Sequence, residues 1–195
     1  MTDYYADAIE RFHRWLNDAK IAEMPEPTAM NLATADANGQ PSSRTVLLKQ
    51  ADQQGFVFYT NTGSRKGEQI AANAHAALCF VWLPLHRQVR VEGQLQPVRQ
   101  AEADAYFATR VRGSQIGAWA SKQSSTLPDR QTLEQRIEHF EREFEGGDVP
   151  RPEWWSGYRL VPTLIEFWAG RKHRLHERHE YKQVDGGWQL RLLYP

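Results

Sequence analysis

The chain has 195 residues, with 24 Lys plus Arg against 24 Asp plus Glu and a formal net charge of zero. That length suits one ordinary core, and the balanced charge removes the global field that draws proteins to nucleic acid or anionic membrane, so anion binding must be local. The lone cysteine, Cys79, excludes a disulfide framework and a cysteine metal cluster and fits a reducing cytoplasm.

The first fifteen residues carry acidic groups where an export signal needs a basic start and an unbroken apolar stretch. Tyr5, Ile9, Phe12 and Leu16 recur every three or four residues and predict an amphipathic helix over 3–20, which Pro25 and Pro27 stop. Runs rich in branched and aromatic residues predict strands at 30–35, 43–49, 56–60, 76–83 and 87–95. Asn38-Gly39 and Gly55 mark reversals of an antiparallel meander, the first as a tight hairpin with positive backbone angles. The longest apolar run, 76–85, is about half of the roughly 20 residues that span a bilayer.

Residues 101–110 and 129–144 lack strand alternation and are rich in Ala, Glu, Gln and Arg, which predicts two or three helices. Strand-like runs return at 157–161, 163–169 and 178–184, and Asp185-Gly186-Gly187 turns into a final strand. Antiparallel strands with helices inserted between them imply one α+β domain over 1–195, mainly β, with a barrel and appended helices.

Candidate anion sites fall in three places. Residues 59–66 end a strand, turn through Gly63 and open a helical run at 65–72, with Ser64 as N-cap. Arg65 and Lys66 in that first turn oppose the helix dipole, which favours negative charge there by about 0.3 to 1 kcal/mol per group. The placement makes sense if a phosphate meets the free N–H groups there; a solvated helix start is the other reading. Tyr106 and Arg110 share a helix face that Ser114 extends, although surface packing explains any one such pair. Strand alternation puts Arg44 and Lys49 on opposite faces. In an extended chain Arg174, His176 and Arg178 point the same way, within the densest basic run and just after the flat indole of Trp168.

The sequence has no Gly-x-Gly-x-x-Gly or Walker loop, no Gly-x-Ser-x-Gly elbow and no His-Glu-x-x-His metal spacing. Dinucleotide, nucleoside-triphosphate, hydrolase and zinc readings therefore fall away, and a mononucleotide remains open.

Seven ordered blocks carry a resemblance to one family over nearly the whole chain. They are Arg44-Thr45-Val46-Leu47-Leu48-Lys49, Phe58-Tyr59-Thr60-Asn61, Gly63-Ser64-Arg65-Lys66, Ser114-Gln115-Ile116-Gly117-Ala118-Trp119, Ser121-Lys122-Gln123-Ser124-Ser125, Ile165-Glu166-Phe167-Trp168 and Arg174-Leu175-His176. The chain resembles the pyridoxamine (pyridoxine) 5'-phosphate oxidases. The resemblance implies a cytoplasmic, homodimeric split β-barrel with FMN at the subunit interface, which oxidises pyridoxamine and pyridoxine 5'-phosphates to pyridoxal 5'-phosphate with O2 as acceptor. It implies an FMN site of Arg44, Tyr59, Thr60, Arg65, Lys66, Gln88, Gln123, Ser124, Trp168 and Arg178. It assigns the substrate phosphate to Lys49, Tyr106, Arg110 and Ser114, and puts Arg174 and His176 over the pyridine ring, where hydride leaves C4'. Departures are Val111 in place of the usual proline, Glu177 in place of aspartate, and Leu192-Leu193-Tyr194-Pro195 at the C-terminus. A split-barrel reductase of another substrate, which would not need the four phosphate residues together, is one alternative; a non-catalytic binder of FMN or pyridoxal phosphate is the other.

Overall fold

A computed structural model describes residues 3–195. Helix α1, Tyr4–Ile21, is capped by Asp3, whose carboxylate accepts from the N–H groups of Tyr5 and Ala6 at 3.0 Å each. Its buried face includes Ile9, Phe12, Trp15 and Leu16. Phe12 meets Phe56 and Phe80 edge-on, with ring centroids 5.0 Å apart in each case. Side chains of that size contribute about 1.5 to 3 kcal/mol each on burial, and this face of α1 belongs to the main core.

Strands β1 (Ala29–Ala35) and β2 (Pro41–Leu47) form the expected hairpin, but its turn is longer than two residues. Only Gly39 takes a positive φ, +82°. The Asp36 carboxylate accepts from the N–H groups of Asn38 and Gln40, at 2.9 Å each, and replaces the tight turn with an Asx-stabilised one.

The remaining elements are β3 (Gln50–Asp52), β4 (Gly55–Asn61), α2 (Arg65–Ala72), β5 (His75–Trp82), β6 (Arg87–Pro97), α3 (Gln100–Ala108), α4 (Arg112–Ala120), α5 (Arg130–Glu143), β7 (Trp155–Ala169), β8 (Glu177–Val184) and β9 (Gly187–Leu193). They make one antiparallel sheet in the order β2-β1-β5-β6-β7-β4-β3, with β8 on β7 and β9 on β8. The expected meander therefore breaks at β4, which leaves β2 and pairs with β7. Burial explains the break: Phe56 and Phe58 enter the main core while Val57 packs from the other face against Val98 and Ala103, so β4 needs cover on both sides.

β7 runs as one strand where the sequence suggested two. Pro162 lacks the N–H that a ladder needs, and the register against β6 shifts there: Gly93 pairs with Pro162 and Glu92 with Leu164, which leaves Thr163 as an extra residue in β7. Along one edge β7 pairs first with β4, through Trp155–Leu160, and then with β8, through Leu164–Ala169. The sheet curls into a split barrel, mainly β, with its helices at the margins. A second cluster of Phe107, Ile116, Val149 and Trp155 joins α3, α4 and the start of β7, with Ile137 and Phe140 of α5 packed on it. No helix among the described residues is long and apolar enough to cross a membrane.

Candidate active site

The predicted helix start at 64–66 is present and tightly built. Ser64 is fully buried; its hydroxyl donates to the Asn61 carbonyl at 2.7 Å and accepts from the Gly67 N–H at 3.4 Å. A Cβ on Gly67 would lie 1.9 Å from the Thr62 carbonyl oxygen, so only glycine lets α2 sit this close to its turn. Lys66 is 8% exposed, and its ammonium donates to Gln123 Oε1 (2.6 Å), Thr60 Oγ1 (3.1 Å) and Ser64 Oγ (3.1 Å). All three acceptors are neutral. Burial, helped by the nearby Arg44 charge, pulls the Lys66 ammonium down to about 8.

Lys66 opens onto a cavity of about 830 Å³, which Arg44, Lys49, Tyr59, Thr60, Tyr106, Arg110, Ser114 and Gln123 also line. The expectation that Arg44 and Lys49 face opposite ways is wrong. β2 ends at Leu47, and Lys49 donates its N–H to the Val57 carbonyl, so strand alternation stops before Lys49 and both cations reach one cavity. Tyr106, Arg110 and Ser114 converge as their spacing suggested, although Arg110 lies just beyond α3 and Ser114 lies in α4.

Three rings form one wall: Tyr59 lies 4.1 Å from Tyr106 and 5.4 Å from Trp155, with interplanar angles of 15° and 5°. Arg110 sits over Trp155, 4.7 Å from its ring centroid, and its guanidinium pKa is lowered by burial. Its Nη1 is the one buried side-chain nitrogen or oxygen without a hydrogen-bond partner among the described residues. Burial, with Glu102 and Tyr106 nearby, also pushes the Tyr59 hydroxyl up to about 12, which keeps it a neutral donor.

Among the described residues, none of Arg44, Lys49, Lys66 or Arg110 forms an ion pair, whereas Arg87, Arg151, Arg159, Arg178 and Arg191 each do. Four cations without counterions around one cavity, one of them with an orphaned N–H group, fit an anionic ligand. The parallel aromatic wall suits a flat one.

The other candidates lie elsewhere in this chain. Arg65 is exposed and outside the cavity lining, although its charge lowers the Arg44 pKa. Ser124, with φ of +73°, lines the adjoining groove instead. Gln88 pairs with Trp168 and Trp168 with Arg178, across β6, β7 and β8. Arg174 ends a short 3₁₀ turn, Lys172–Arg174, with φ of +62°, so it does not share an extended face with His176 and Arg178. His176 accepts from the Arg171 N–H through Nδ1 (3.1 Å), and its ring lies 4.6 Å from that of Trp168. None of these seven residues lines the cavity.

Sequence reasoning missed Trp155, which has no periodic neighbours to reveal it, and Gln69, three residues beyond Lys66 on α2.

Fold and cavity together define a split-barrel protein with a site suited to flat, anionic ligands. Residues 17–143 match the family described as pyridoxamine 5'-phosphate oxidase, and residues 155–195 match a pyridoxine 5'-phosphate oxidase C-terminal dimerisation region. The pyridoxine/pyridoxamine 5'-phosphate oxidase of Cupriavidus taiwanensis is 54% identical over 195 residues, covering 100% of this chain and 92% of that protein. The Myxococcus xanthus protein of the same name is 53% identical, covering 97% and 92%. Among solved structures, PhzG from Burkholderia lata in complex with tetrahydrophenazine-1-carboxylic acid superposes with a TM-score of 0.92 at 33% identity, covering 100% of this chain and 98% of that one. A pyridoxamine 5'-phosphate oxidase-related, FMN-binding protein from Nostoc punctiforme shares the fold with a TM-score of 0.72 at 18% identity, covering 89% and 91%. This chain belongs to the pyridoxamine 5'-phosphate oxidase family.

Proposed function

We propose that this protein, a single domain over 1–195 working in the cytoplasm, uses FMN to oxidise pyridoxamine and pyridoxine 5'-phosphates to pyridoxal 5'-phosphate. The observation that carries the reading is the set of four cations on one cavity of about 830 Å³ that form no ion pair among the described residues, more positive charge than one phosphate needs. FMN, when bound, would supply the two-electron oxidation at C4' of the substrate, with O2 as final acceptor giving hydrogen peroxide, and for the amine substrate water would hydrolyse the resulting imine to release ammonia.

The chain's own part is binding and orientation. Arg44, Lys66 and Arg65, with Tyr59, Thr60, Gln123 and Ser124, would hold the FMN phosphate end. Lys49, Tyr106, Arg110 and Ser114 would hold the substrate phosphate, the orphaned Arg110 Nη1 supplying a donor already desolvated. Remote anchoring of this kind lets phosphate-binding energy orient the reacting carbon.

Gln88, Trp168, Arg174, His176 and Arg178 would come from a second copy, with FMN at the interface of a homodimer. Strand geometry supports this: Trp155 at the cavity and Trp168 near the other end of β7 are separated by roughly 40 Å of strand. A site made from both ends would therefore draw them from different chains, a reading that the match to a dimerisation region supports.

The test is aerobic turnover of pyridoxamine 5'-phosphate by FMN-loaded protein, following pyridoxal phosphate absorbance and peroxide together, with unphosphorylated pyridoxamine as control. Both products, dependent on the phosphate, are expected. Bound FMN without turnover of either phosphorylated vitamer would instead favour a split-barrel flavin reductase of another substrate, a reading supported by the likeness to PhzG, whose structure holds tetrahydrophenazine-1-carboxylic acid.

A further inference from the structure

Arg44 is held by a closed ring of hydrogen bonds. Its guanidinium donates to Thr34 Oγ1 (2.7 Å) and Ser42 Oγ (2.9 Å). Both hydroxyls then donate to Gln69 Oε1, at 2.6 and 2.7 Å, and Arg44 itself reaches the same oxygen at 3.2 Å. A further bond from Arg44 to the Leu32 carbonyl, 3.0 Å, fixes its plane against β1.

The ring has one polarity. A guanidinium only donates, and each hydroxyl has one proton, so the atom that closes the ring must accept from all of them. An amide oxygen and a carboxylate both meet that demand, but a carboxylate would also neutralise Arg44 inside the protein. Gln69 is 5% exposed and brings the acceptor without the charge. It lies one turn beyond Lys66 on α2, so one short helix carries one cation of the cavity and holds a second, Arg44 of β2, in place.

We infer that Gln69 is a positioning residue that orients Arg44 through Thr34 and Ser42 while leaving its positive charge to the ligand phosphate. The inference rests on the cavity being a phosphate site, and where that phosphate is FMN's it makes the neutrality of position 69 a condition of flavin affinity.

The decisive comparison is wild type, Gln69→Glu and Gln69→Leu, each as apo-protein. Three readings are taken: thermal midpoint alone, thermal midpoint in excess inorganic phosphate, and FMN dissociation constant from quenching of flavin fluorescence. Gln69→Glu preserves the ring and gives Arg44 a counterion. Its midpoint is expected to hold or rise, its phosphate-induced upshift to vanish, and its FMN affinity to fall by roughly ten- to a hundredfold. Gln69→Leu removes the common acceptor, and it is expected to lose both stability and FMN affinity while retaining a phosphate response, because the charge is still free.

A merely structural Gln69 would make affinity follow stability in both variants. A Gln69→Glu protein that binds FMN like wild type, or that loses affinity only in step with its midpoint, would overturn the inference and leave the cofactor reading standing. If wild type binds no FMN but responds to phosphate, and Gln69→Glu does not respond, the inference stands and the cofactor reading falls. A wild type that responds to neither overturns both.

Discussion

The cavity beside the Trp155 end of β7 and the β7–β8 pair at its Trp168 end treat positive charge in opposite ways. At the Trp155 end, Lys66 and Arg44 are held by amide, hydroxyl and carbonyl oxygens and Arg110 rests on an indole, with no carboxylate among their partners. At the Trp168 end, Arg178 forms a two-point pair with Glu166, a carboxylate only 3% exposed, at 2.7 and 3.1 Å, and Arg90 approaches the same carboxylate at 3.4 Å. Charges paired inside the protein stabilise the fold. Charges fixed by neutral groups leave their field for a ligand, at some cost to the apo-protein.

The comparison breaks most sharply in stability. Arg178→Met should leave a buried Glu166 with Arg90 as its remaining partner and destabilise the apo-protein by about 2 to 3 kcal/mol, somewhat less than the full loss of a buried pair. Lys66→Met should do the reverse in urea titration, leaving apo-stability unchanged or raised because a desolvated ammonium is gone. If both substitutions destabilise alike, the contrast between the two ends is wrong.

Ligand affinity gives the next effect. Lys66→Met should weaken FMN binding by about 1.5 to 3 kcal/mol, the usual range for a charge-assisted contact. Arg174→Ala, on the exposed turn before β8, should cut turnover far more than flavin content. Flavin fluorescence and steady-state rates on the same preparations separate the two, and equal losses of flavin would contradict this division.

What the sequence revealed of this contrast was its local part. The cap, turn and cations of 63–66 lie within a few residues, so propensity and dipole arguments reached them. The face of α1 was readable from its period for the same reason. Lys49 was misassigned because the end of β2 depends on a hydrogen bond to Val57, a partner that no local pattern reveals. β7 was split in two because its continuity past Pro162 depends on a register shift against β6, a strand about 70 residues away in the chain. Gln69 was missed because its role exists only through Thr34, 35 residues away, and Ser42, 27 residues away.

A smaller effect is expected in pH. The folded-state pKa of Lys66, about 8, lies below its ordinary 10.5, so between those values the unfolded chain holds a proton that the folded chain lacks. The stability of the apo-protein should therefore rise with pH across that window, with the full penalty present below it. FMN affinity should move oppositely, falling as pH climbs above about 8, since a phosphate ester is already dianionic above its second pKa of roughly 6 and only the ammonium still titrates. Paired urea and fluorescence titrations check both slopes, and Lys66→Met should flatten them.

The smallest effect tests whether pairing alone makes a charge matter at the Trp168 end. Arg171 donates to both Glu177 oxygens at 2.9 Å, holding that carboxyl below its usual range, yet both side chains are about half exposed. Water competes for such a pair and ordering two long side chains offsets the attraction, so Arg171→Ala should leave the denaturation midpoint unchanged within error. The backbone N–H of Arg171 survives the substitution, and with it the bond to His176 Nδ1, so turnover should hold as well. A clear loss of activity would mean that the Arg171 side chain, and not its backbone, sets the His176 ring, and the exposed turn would then belong to the working part of the site.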